Sequence, residues 1–196
     1  MAVIAVLMAK AVEKAHPENT LPVRIISPVS VRKIMGNVHS LLHQVVHISY
    51  LFSADRLKEE DSTEKLIRDY RTHLKDFMAE RNIQIMCGLY SGIIQGLMKA
   101  QQDGVLDLLI ADQRKNAGTG IMASYLGILR TGEYGKKIRM TAGHTMQEKG
   151  IMLQAVEIAG TFYLCWYQGF QEDCYIRAMA EELLAQDMPG TKLERV

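Results

Sequence analysis

The densest apolar stretch of the chain is Leu21–Phe52, LPVRIISPVSVRKIMGNVHSLLHQVVHISYLF. Val, Ile, Leu and Tyr dominate it, which suits a pleated, largely buried surface better than a helix. The pattern predicts two strands, Leu21–Ser27 and Val38–Phe52, joined through Pro28, Arg32 and a Gly36-Asn37 turn. Alternation in the second strand puts Val38, Leu42, Val46, Ile48, Tyr50 and Phe52 on a core face, interrupted by Ser40 and Gln44. The other face is mixed, with His39, His43, His47 and Ser49 beside Leu41, Val45 and Leu51. A site carried by this strand belongs on that mixed face.

Elsewhere the period is helical. Val3, Ile4, Leu7, Met8 and Ala11 form an amphipathic stripe that Pro17 closes. The helix starts without a cap, as expected of a piece of a longer protein. After the charged run Ser53–Asp61, Asp61 is the expected N-cap of a helix whose stripe is Leu66, Ile67, Tyr70, Leu74, Phe77 and Met78. The pattern restarts near Asn82, and this helix carries Gly88, Gly92 and Gly96 at an interval of four. Small residues in line suggest close packing against a sheet. A short helix over 105–115 follows, then a strand at Ile121–Leu129 and a loop at Thr131–Gly135. Strands at Lys137–Thr145, Gly150–Ala159 and Thr161–Tyr167 form an antiparallel meander, and a helix at Glu172–Gln186 ends before Pro189-Gly190. The fold class is α/β: a mixed, largely antiparallel sheet covered by helices, with residues 1–196 as one unit.

Composition narrows the function classes. The chain is 48% hydrophobic with a net charge of +1, enough apolar mass for a core and no excess charge to bind nucleic acid or an anionic membrane. No apolar run is long enough to span a bilayer, so no membrane partner is expected. Cys87, Cys165 and Cys174 show no metal-ligand spacing and read as packed or free thiols in a reducing cytoplasm. On a strand, His39, His43 and His47 lie about 13 Å apart in sequence order, too far to share an ion. No metal is expected, and the three histidines become candidates for lining a channel.

The order helix, strand, Pro28-Val29-Ser30-Val31-Arg32, Gly36-Asn37, long strand, long helices, Ser124-Tyr125-Leu126-Gly127, meander and helix from Ile151 to Leu184 resembles the C-terminal half of the condensation-domain and CoA-dependent acyltransferase superfamily, the chloramphenicol acetyltransferase-like fold. That resemblance implies a tunnel between two similar halves. In it a His-His-x-x-x-Asp-Gly base of the N-terminal half activates a hydroxyl or amine against a CoA or carrier-protein thioester. It implies Arg32 as a structural contact between halves and Ser124 as an oxyanion or substrate contact. It also implies acyl-CoA or a phosphopantetheine thioester as substrate rather than a bound cofactor. The implied partners are the N-terminal half, a second copy of the chain, or an acyl carrier protein. The place that matches the catalytic motif reads Tyr167-Gln168-Gly169-Phe170-Gln171-Glu172-Asp173, without histidine. The chain alone is therefore expected to be inactive. The alternative expectation is a non-catalytic interaction or scaffolding domain.

Overall fold

The computed structural model describes residues 1–36, 45–59, 62–116, 121–138 and 150–186, and for 112–116 the backbone alone. Five strands form one sheet: β1 (Val23–Ser30), β2 (Val45–Phe52), β3 (Ile121–Leu129), β4 (Ile151–Ile158) and β5 (Thr161–Gln168). Their order is β2-β1-β3-β4-β5. The outer pairs β1–β2 and β4–β5 are antiparallel, and the inner pairs β1–β3 and β3–β4 are parallel. The helices are α1 (Ala2–Ala15), α2 (Ala54–Lys58), α3 (Thr63–Phe77), α4 (Glu80–Gln102), α5 (Leu106–Asn116) and α6 (Cys174–Ala185).

One face of the sheet builds the core. Ile25, Phe52, Ala123, Leu153 and Ala155 pack there against Leu7 of α1, Tyr70 of α3 and Met179 of α6. The first helix is more deeply enclosed than a single stripe predicts, with every residue from Ile4 to Ala9 buried. The sheet lies under it while α3 and α6 flank it, so Ala5 and Ala9 allow close approach on faces that a surface helix would give to solvent. A 2.6 Å hydrogen bond between Ser27 Oγ and Tyr70 Oη satisfies two polar groups inside this core. At the other end of α1, His16 Nε2 meets Tyr175 Oη at 2.7 Å and Nδ1 meets Glu18 Oε1 at 3.2 Å, tying α1 to the start of α6.

A second cluster extends the same layer. Val29, Val31 and Val46 pack against Ile83, Met86, Cys87 and Tyr90 from the first turns of α4. Beyond Tyr90 the helix runs off the body. Gly88, Gly92 and Gly96 have nothing within 4 Å of where a Cβ would stand. The expected packing of this glycine row against the sheet is therefore corrected: it lies on the solvent side, and α4 packs by its apolar side.

Other boundaries moved for identifiable reasons. β1 continues through Pro28 to Ser30 instead of ending at Ser27, because Val29 on this stretch is held by the second cluster. Asp61 lies outside the described residues. Ser62 holds the N-cap position of α3, where its hydroxyl donates back to the Glu59 carbonyl at 2.8 Å instead of capping. Of the strand expected at Lys137–Thr145, Lys137 belongs to a 3-10 turn spanning Gly132–Lys137, and residues from 139 onward lie outside the described ones. None of Cys87, Cys165 and Cys174 is in a disulfide.

Candidate functional site

Alternation along the strands defines a second face of the sheet, turned away from α1, α3 and α6. The registers align Ser49, Ile26, Met122, Met152 and Tyr167 across it in one row. The next row holds His47 opposite Pro28, and Ser124 opposite Gln154 opposite Cys165. Among the described residues the helices pack from the other side. Only the 3-10 turn folds back here, where Tyr163 Oη donates to the Ile138 carbonyl at 3.4 Å above Val156 and Ile158. This face is called helix-free below.

The ladder between β1 and β3 is short, with Ile25 level with Ile121 and Ile26 with Met122 and no pairing beyond. The edge of β2 explains why. The His47 N–H donates to Tyr90 Oη at 3.3 Å, and the Ser49 carbonyl accepts from His73 Nε2 at 3.1 Å. Both groups point off the edge, so their partners Pro28 and Ile26 turn their own backbone groups toward β3. Ile26 pairs there, whereas Pro28 has no N–H to give. Past that level no ladder pairing joins β1 to β3, and this opening between two parallel strands is called the crevice below.

Ser124 stands beside this crevice, two residues past the last position at which β3 pairs with β1, and is 7% exposed. β3 is the central strand, so Ser124 does not lie at a sheet edge. Three residues on, Gly127 has φ +86° and the register slips between Tyr125 and Ile128. This bulge needs a residue tolerant of left-handed backbone, which accounts for the glycine in Ser124-Tyr125-Leu126-Gly127.

Arg32 follows β1 in a turn that ends at Gly36, φ +67°. It is half-buried with its Nε shielded from solvent and lies past the carboxyl end of β1, four residues beyond Pro28, whereas Ser124 is the fourth residue of β3. His47 is exposed on the helix-free face, while His39 and His43 lie outside the described residues. Two strand spacings separate His47 from Ser124, about 10 Å, so the two do not form a base–hydroxyl pair. Among the described residues no group of three or more His, Cys, Asp or Glu could hold a metal ion.

Sequence reasoning missed Met122, Met152, Gln154, Cys165 and Tyr167. The signal was present in the alternation of the two C-terminal strands, but it becomes a face only once register is known. Tyr167 Oη is shielded from solvent. Burial first, and the neighbouring Cys165 thiol second, push its phenol up to about 12. The segment after it is a turn held by Gln168, whose Oε1 accepts from Trp166 Nε1 at 2.8 Å and whose Nε2 donates to the carbonyls of Phe170 and Glu172.

Comparison with protein-family models, curated proteins and solved structures returned no match. Among the described residues no helix is long and apolar enough to cross a membrane.

Proposed function

We propose that this chain is one half of an acyl-transfer enzyme, supplying binding surface and an oxyanion contact while the base comes from a complementary half. The observation that carries this reading is the position of Ser124, central in the sheet, on its helix-free face and beside the β1–β3 crevice. A thioester carried on a pantetheine arm would lie along Ile26, Met122 and Met152, with its carbonyl at Ser124. When an acceptor hydroxyl or amine attacks that carbonyl, charge moves onto the oxygen, where a fixed hydroxyl donor is worth most. The C–S bond then breaks, the acceptor proton passes to the base, and the thiolate leaves. Arg32 would face the other half with a permanent charge suited to a carboxylate. The same proposal places the chain in the cytoplasm, with acyl-CoA or a carrier protein as donor.

The test pairs binding with turnover. Saturation-transfer NMR with acetyl-pantetheine is expected to show binding that Ser124→Val weakens. Acetyl-CoA with simple alcohol or amine acceptors is expected to give no turnover above the blank. Absence of binding, or turnover that survives purification of this chain alone, contradicts the reading.

A further inference from the structure

The second half of α4 exposes large apolar side chains. At 100° per residue, Ile83, Met86, Cys87 and Tyr90, which pack on the body, share a face with Ile93, Ile94, Leu97 and Met98. The first group is covered, whereas the second stands 43–58% exposed beyond the edge of β2. Gly88, Gly92 and Gly96 fall on the opposite side. One continuous apolar face is thus half used by the chain's own fold. Leu108 and Leu109 of α5, 72% and 42% exposed, add to the uncovered half.

We propose that this face pairs with the same face of a second copy, the two α4 helices crossing antiparallel about a two-fold axis near Ile94 and Leu97. Area supports a partner of this size. Leaving out Ile85 and Leu89, which fall on the glycine side, eight large hydrophobic side chains from Ile93 to Ile110 are 39–72% exposed. They present on the order of 800 Å² per chain, against the few hundred Å² of a usual monomer patch and the about 800 Å² per partner of a stable interface. Charge supports a like partner. No charged residue occurs from Asn82 to Met98, so two copies meet without repulsion and nothing on the surface selects an ion-bearing partner. At the tip, Lys99 and Asp103 neutralise each other at 2.9 Å. An isologous pairing also closes on itself, leaving no second sticky surface.

Light scattering coupled to size exclusion on the full chain tests this. A dimer is expected at tens of micromolar, and Ile94→Glu and Leu97→Glu, both at positions already exposed, are each expected to weaken it at least tenfold with unchanged far-UV circular dichroism. Gly92→Ala, on the other side of the helix, is expected to leave the dimer intact. Leu97→Cys is expected to give a disulfide-linked dimer on mild oxidation. A monomeric wild type, a dimer indifferent to both glutamates, a dimer lost in Gly92→Ala, or a monomer that binds phosphatidylcholine vesicles through α4 would each overturn the proposal.

Discussion

The two faces of the sheet are made by the same strands, residue by alternate residue, yet they have different chemistry. On the helix side Leu153 and Ala155 of β4 are buried, and the buried Ser27 hydroxyl is paired with Tyr70. On the helix-free side Met152, Gln154, Cys165 and Tyr167 are half-buried, and Tyr167 Oη is shielded from solvent beside the Cys165 thiol. The helix side is a closed apolar core, whereas the other face mixes apolar and polar side chains, many of them partly open to solvent.

The comparison breaks most easily by truncating neighbours on one strand. Leu153→Ala is expected to cost about 2–5 kcal/mol, because it leaves a cavity against α1 and α6, whereas Met152→Ala next to it should cost well under half as much. Urea unfolding of both variants measures the difference, and equal losses would erase the distinction between the faces.

Tyrosines sharpen the comparison at smaller scale. Tyr70→Phe strands the Ser27 hydroxyl and is expected to cost about 1–3 kcal/mol, while Tyr167→Phe gives up only a weak contact with the Cys165 thiol and should cost less. Burial raises the phenols of Tyr70, Tyr167 and Tyr175 above their usual value of 10.0. Below that value both states keep their protons and stability is unaffected. As pH rises from 10 toward 12 the unfolded chain releases protons that the folded one retains, so stability falls. The urea midpoint should be flat to pH 10 and decline beyond it, with a shallower decline in each Phe variant.

Much of the architecture was legible in the sequence. The strand at Ile121–Leu129 has the bounds the pattern predicts, and the even residues Val46, Ile48 and Phe52 are buried while His47, Ser49 and Leu51 are exposed. Periodicity reads these well because a two-sided element writes its faces into its own residues. The order of strands, the parallel inner pairs and the crevice were not legible, since pairing partners far apart in sequence leave no local trace. Gly88, Gly92 and Gly96 misled for a related reason. A row of small residues fits close packing and open solvent equally well, and only the position of Ile83 and Tyr90 against Val46 decides which side of α4 turns inward. Pro28 could have announced the end of the β1–β3 ladder, had the identity of the neighbouring strand been known.

The central claim is that the helix-free face is where this chain meets its ligand, and methionine methyl NMR tests it most directly. Met122 and Met152 lie side by side on that face, while Met8 and Met179 lie in the core on the other side. With methyl-labelled methionine and acetyl-pantetheine added to millimolar concentration, the Met122 and Met152 resonances are expected to shift together. Met8 and Met179 are expected to stay in place, and Ser124→Val should reduce the shifts without moving the free-state spectrum elsewhere. Shifts confined to Met8 and Met179, or no shift at any methionine, would contradict the account.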